Sequence, residues 1–242
     1  PPSLADWWGF FSPRTMMPSF PVPAPPPLRA TIVMDYQNVH LVGHDAFAWA
    51  SPRHETLIDP LKFGEQLLLA RNAAQGPGYE KAVLDRVLVY RGLPSSEYDP
   101  LDNSRSLSQQ YHWQRDRRVK VMLRPLRYRV DRDAANKPIL DVNGKPTILE
   151  KREKGVDVLC ALAVVREAQR AGHNVVILAS HDSDLEPALD EAVELGSAKI
   201  ETMRWDSKDS FTYQLRCSKE RLWTTRMDEK AFIASRDLTP YA

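Results

Sequence analysis

A doubly wound α/β fold, with a mostly parallel central sheet and helices on both faces, is the architecture this sequence predicts. Three observations carry that expectation. Five short apolar, β-branched runs recur along the chain, at 30–35, 86–91, 119–123, 174–180 and 199–205. Helical patterns separate them at 60–74, 101–118, 156–169 and 185–195. Acids also stand just past two of the runs, at Asp35 and Asp182. Strands alternating with helices imply βαβ units and a parallel sheet, and such sheets bind ligands beyond the carboxyl ends of their strands.

In chain order, residues 1–28 read as a tail. Prolines at 18, 21, 23, 25, 26 and 27 suit an extended polyproline segment. Upstream, Trp7, Trp8, Phe10 and Phe11 read first as sticky residues of a disordered end, with docking on the domain, on a protein partner or on a second copy of the chain, as in a homodimer, as the alternatives. The main domain is expected over 29–206, with 207–242 as an extension packing on it. Ala30–Asp35 is the first strand, and residues 36–57 read as a long connection. Leu61, Leu67, Leu68 and Leu69 set the first helix. Residues 101–118 form a polar amphipathic helix ahead of the strand 119–123. Residues 124–153 interrupt the alternation, and Asn143-Gly144 within them is the strongest short signal for a type I′ hairpin. This segment is expected to be an inserted β-hairpin arm. No internal repeat is expected. Val156–Gln169 is strongly apolar, and Leu185, Leu189, Ala192 and Val193 form one stripe of the last helix.

Composition excludes several classes. The chain has 242 residues, is 43% hydrophobic and 27% charged, and carries a net charge of +1, so its totals are those of an ordinary globular protein. Two cysteines, Cys160 and Cys217, exclude a disulfide framework and a cysteine-based zinc site. A reduced, cytoplasmic setting is the expectation. No apolar run approaches the roughly 18 residues of a membrane span, and the N-terminus lacks the charged and apolar regions of a secretory signal.

Four aspartates carry the candidate chemistry. Asp35 follows the first strand, and Asp182 and Asp184 follow the fourth. Asp157 is the only charged residue from Val156 to Val165, a segment whose apolar positions wrap nearly the whole helical circumference. That pattern predicts a buried helix and a buried carboxylate in need of a cation. Each acid alone has a structural role available, as strand end or helix cap. Together at one sheet edge they favour a site, and oxygen-only ligands favour Mg²⁺ or Mn²⁺ over zinc.

These residues also carry a family likeness. Ile32-Val-Met-Asp35-Tyr-Gln-Asn38 resembles the signature of the NYN domain family, a strand ending in Asp with Asn three residues on. Lys154-Gly155-Val156-Asp157 is similar to that family's K-G-x-D element, and Ser180-His-Asp182-Ser-Asp184 to its S-x-D-S-D element. All three occur in the family's order within 30–205. The resemblance implies a PIN-like nuclease core, an acidic metal site of Asp35, Asp157, Asp182 and Asp184 with Asn38 in support, and RNA products ending in 5′-phosphate and 3′-hydroxyl. The position usually filled by Gly in the last element holds His181, read here as a surface substitution.

Charge is segregated along the chain. Residues 115–132 hold eight Lys/Arg and two acids, and residues 181–201 hold seven acids and one Lys. A basic arm beside an acidic centre suits a polyanion plus metal ions. The residues assigned to nucleic-acid contact are Arg124, Arg127, Arg129, Lys151, Arg152, Lys154 and Ser180, with Tyr128 and Trp113 as stacking platforms for the bases of single-stranded RNA. The expected activity is therefore a metal-dependent endoribonuclease. Its rivals are a non-catalytic RNA-binding protein on the same fold and another magnesium-dependent phosphotransfer enzyme. A haloacid-dehalogenase-like phosphatase needs Asp-x-Asp after its first strand, whereas this chain has Asp35-Tyr-Gln.

Overall fold

The structure, a computed structural model, describes residues 26–76, 79–172 and 174–241. The tail's aromatic patch and most of its prolines lie outside these residues. Six parallel strands form the central sheet: β1 (Leu28–Asp35), β2 (Ala82–Leu93), β3 (Val119–Pro125), β6 (Asn174–Ala179), β7 (Lys199–Trp205) and β8 (Trp223–Met227). Their order is β3-β2-β1-β6-β7-β8. Successive strands leave β1 on one side and then on the other, so the switch point falls between β1 and β6.

Helices cover both faces, as the alternating pattern requires. In β1, Ala30, Ile32 and Met34 point into one core with Val39 of α1 (Tyr36–Phe47), Phe63 and Leu67 of α2 (Pro60–Ala74) and Trp113 of α3 (Pro100–Trp113). Val33 points to the other side, where α4 (Val156–Ala168) and α5 (Glu186–Leu195) pack through Cys160, Val164 and Leu189. Period-two alternation sends Asp35 to this α4 side. Strands covered on both faces read as continuous apolar runs, which is why β6 is buried from Val175 to Ala179. Among the described residues no helix is long and apolar enough to cross a membrane.

Five expectations need correction. Residues 36–47 are helix α1, not a connection. Its buried positions, Tyr36, Val39, His40, Gly43 and His44, keep helical spacing but are filled by residues that hide the apolar signal. Gly43 is required there, because a Cβ would stand 2.9 Å from Nε1 of Trp205. Leu28 belongs to β1, buried and paired with Ala82, so the tail ends earlier than residue 28. The C-terminal extension does more than pack: it supplies β8 as the sixth strand and α6 (Glu229–Ala234), whose Phe232 enters the core.

The arm is present as β4 (Arg127–Val130) and β5 (Ile148–Arg152), paired antiparallel, but its tip is not a type I′ turn. That turn needs positive φ at both central residues, and only Gly144, at φ 73°, has it. Asp141 builds the turn instead, its Oδ1 accepting the N–H groups of Asn143 and Lys145 at 2.8 and 2.9 Å. Asp133 does the same for Ala135 and Lys137, both at 2.9 Å, around Asn136 at φ 62°. The segments Asp133–Pro138 and Asp141–Pro146 thus repeat one Asp-centred turn, an internal repeat that loose sequence similarity conceals.

Candidate active site

Asp35 ends β1 and caps α1. Its Oδ1 accepts the Asn38 N–H at 3.3 Å, and its Oδ2 accepts the Ser180 hydroxyl at 3.3 Å. Ser180 Oγ also accepts the Asp182 N–H at 3.1 Å, and Asn38 Oδ1 accepts the His181 N–H at 2.7 Å. Two side chains therefore staple the ends of β1 and β6 together at the switch point and fix the Asp35 carboxylate between them.

Burial pushes the Asp35 carboxyl up to about 7, and the charges of Glu153 and Asp182 push the same way against the Asn38 and Ser180 hydrogen bonds. Among the described residues no Lys, Arg or His pairs with it. Glu153 is the residue that sequence reading missed. It stands between β5 and the left-handed Gly155 (φ 79°) that opens α4. Its Oε2 accepts the Gly92 N–H at 2.8 Å. Burial raises its carboxyl, with repulsion from Asp157 adding and the Gly92 hydrogen bond and Arg91 opposing. The signal in the sequence was an acid four residues before Asp157, masked by the surrounding Lys and Arg.

The other acids join unequally. Asp157 lies in the first turn of α4 and acts electrostatically on Glu153, but it is exposed, contrary to the buried carboxylate expected. The outer side of α4 faces solvent, with Val158 55% and Leu162 60% exposed, so an apolar circumference did not mean a fully buried helix. Asp182 is half-buried and caps the short turn that follows, accepting the Asp184 N–H at 3.0 Å. Asp184 is exposed and touches the group only through that N–H. The acids line one edge without closing into a tight cage. Among the described residues, the only three acidic or imidazole ligand atoms within 4.8 Å of one another belong to Asp59, His112 and Asp237. Those carboxylates already take protein donors: Asp59 from the N–H groups of Leu61 and Lys62, Asp237 from Trp113, Tyr241 and Thr239.

Several assigned contacts change role. Ser180 is fully buried, so it positions Asp35 and cannot meet nucleic acid. His181 is buried rather than a surface substitution, its Nδ1 donating to the Tyr213 carbonyl at 2.8 Å. Trp113 is buried against Tyr36 and unavailable for stacking, and Tyr128 is anchored through its hydroxyl to Asp99 at 2.6 Å. Arg124 donates to the Lys154 carbonyl at 2.8 Å and braces the Lys154-Gly155 turn. Lys151 pairs with Asp99 at 2.6 Å, Arg129 with Glu150 at 3.7 Å, and Arg152 also with Glu150. Arg127 and Lys154 are exposed without an ion-pair partner among the described residues. Strand β3 splits the basic run, since seven residues span roughly 20 Å. Arg115, Arg117, Arg118 and Lys120 therefore line a cleft at the opposite end of the sheet from Asp35.

No protein-family model matches the chain, and no curated protein matches it. Among solved structures it is similar to a protein of unknown function from Vibrio parahaemolyticus, with 19% identity over 73% of this chain and 81% of that one and a TM-score of 0.40.

Proposed function

We propose that this chain is a metal-dependent endoribonuclease of the NYN type, with its reaction centre at Asp35, Glu153, Asp157 and Asp182. The observation that carries the reading is the buried Asp35 carboxylate, fixed at the switch point beside other carboxylates and without a cationic partner among the described residues. Such mutual repulsion is offset by a divalent cation. The donor set is all oxygen, which suits Mg²⁺ or Mn²⁺. Its open spacing suits a hydrated ion that takes one or two carboxylates directly and meets the rest through water. Bound there, such an ion supplies an acidified water and offsets phosphate charge.

The protein's own groups do the remainder. Asn38 and Ser180 hold Asp35 in one orientation. Gly92 occupies one oxygen of Glu153, and Oε1, without a hydrogen-bond partner among the described residues, is placed to accept a hydrogen bond from water. Arg127 and Lys154 bind flanking phosphates. Replacing both by Ala is expected to weaken RNA binding and to lower its salt slope by roughly 0.7 per lost contact. Anisotropy titrations across KCl concentrations check this, and an unchanged slope places the pair away from the substrate.

Incubating the full chain with single-stranded RNA and DNA, with Mn²⁺, Mg²⁺ or EDTA, tests the activity. RNA cleavage that EDTA abolishes is expected, with 5′-phosphate products. Intact RNA in every metal, or cleavage insensitive to EDTA, contradicts it.

A further inference from the structure

Beside the acids lies a cavity of about 380 Å³, whose lining includes Arg91, Arg105, Ser106, Gln109, Lys151 and Glu153. Glu153 belongs both to this wall and to the acidic centre. Its size falls within the range of small-ligand sites.

The wall is built for a planar, acceptor-rich group. The Arg91 guanidinium lies 4.7 Å from the Tyr36 ring centroid and 5.5 Å from that of Trp113, so its plane is fixed. One of its N–H groups donates to Gln109 Oε1 at 2.6 Å, and the remainder of the guanidinium has no protein acceptor among the described residues. That hydrogen bond turns Gln109 so that its amide NH₂ is the free end. Ser106 and Gln109 are almost fully buried, at 4% and 5% exposure. Among the described residues neither the Ser106 hydroxyl nor the Gln109 amide nitrogen has a hydrogen-bond partner, and both residues line the cavity. Buried polar atoms ordinarily find partners. Here the unpaired groups, a hydroxyl, an amide NH₂ and part of a guanidinium, belong to residues that line one cavity.

We infer that this cavity receives one nucleotide of the substrate strand, its base turned inward against Arg91, Ser106 and Gln109. Arginine donors match the O6 and N7 acceptors of guanine, whereas adenine presents a donor at the equivalent edge. Arg105 at the rim, 3.8 Å from the Asp102 carboxylate that also lines the cavity, meets the nucleotide phosphate. The ribonuclease reading supplies only the identity of the chain to which this nucleotide belongs.

The test is titration of the full chain with GMP, AMP, UMP, ribose 5-phosphate and inorganic phosphate, followed by NMR or calorimetry, alongside the RNA cleavage assay. GMP is expected to bind at least about tenfold tighter than ribose 5-phosphate and tighter than AMP. Ser106→Ala should weaken GMP about five- to tenfold without changing ribose 5-phosphate. Gln109→Leu should weaken GMP further, and the conservative Ser106→Ala keeps the test decisive should Gln109→Leu fold poorly. Equal binding of all three nucleotides and ribose 5-phosphate overturns the inference, as does a GMP affinity that Ser106→Ala leaves unchanged. If RNA is still cleaved in that case, the pocket assignment falls and the ribonuclease reading stands. Selective GMP binding without any RNA cleavage keeps the pocket and removes the ribonuclease.

Discussion

Asp35→Asn is expected to reduce RNA cleavage at least about 100-fold and, without divalent cations, to raise the melting temperature at pH 8. The two effects have one cause. The Asp35 carboxyl titrates at about 7 in the fold against an ordinary 3.8, chiefly because it is buried and secondly because Glu153 and Asp182 repel it. Between those two values the native state holds a proton that the unfolded chain has released, so stability falls as pH rises through that window. The penalty is absent below about 4 and complete above about 7. A shift of this size corresponds to on the order of 4 kcal/mol at most, or roughly 2–4 °C of melting temperature per kcal/mol for a domain of this size. Asn caps helices as well as Asp, and its amide can donate to Ser180 Oγ where the carboxylate accepted. The melting difference between variant and wild type should therefore grow from near zero at pH 4 to several degrees at pH 8. Adding Mn²⁺ should shrink it, because the cation stabilises only the wild-type carboxylate. A variant less stable than wild type at pH 8 would show that Asp35 holds the fold and not a charge.

Arg71→Met is expected to cause the largest loss of stability, about 3–5 kcal/mol. Arg71 and Glu201 are both fully buried and joined by two hydrogen bonds of 2.8 Å, tying α2 to β7. Removing the guanidinium strands a carboxylate in the core with, among the described residues, only Lys199 Nζ at 3.0 Å as partner. It also removes the hydrogen bond that Arg71 donates to the Glu80 carbonyl at 3.0 Å. The double variant Arg71→Met with Glu201→Leu should recover most of the loss, since a buried ion pair replaced by apolar groups of similar volume is often neutral. Urea denaturation of the wild type and the two variants measures this. Equal destabilisation of the single and double variants would mean that packing, not charge, is what the pair supplies.

Much of the fold was legible because burial on both faces writes itself into strands as apolar runs. β1, β6 and β7 end within a residue of where the sequence places them. Helix α1 was not legible, since His40, Gly43 and His44 fill core positions through hydrogen bonds and close approach rather than hydrophobicity. His40 and His44 both meet Thr56 Oγ1, at 3.2 and 3.0 Å, a contact invisible before folding. The meeting of Asp35 and Asp182 at one edge of the sheet was legible because each stands at or just past a strand terminus, where topology alone fixes its place. Glu153 was not, because its role depends on the turn through Gly155 and on Gly92 from a distant strand. The basic run 115–132 misled for a related reason. Sequence proximity joined residues that β3 carries to opposite ends of the sheet.

The most direct test of the acidic centre is calorimetric titration of Mn²⁺ into the full chain at pH 6 and pH 8, in buffers of different ionisation heat. Asp35 is largely protonated at the lower pH, so binding should release about one proton per ion at pH 6 and little at pH 8. Asp35→Asn should abolish both the proton release and most of the affinity. No Mn²⁺ binding at either pH, or binding that Asp35→Asn leaves unchanged, would contradict a metal-dependent reaction centre at the switch point.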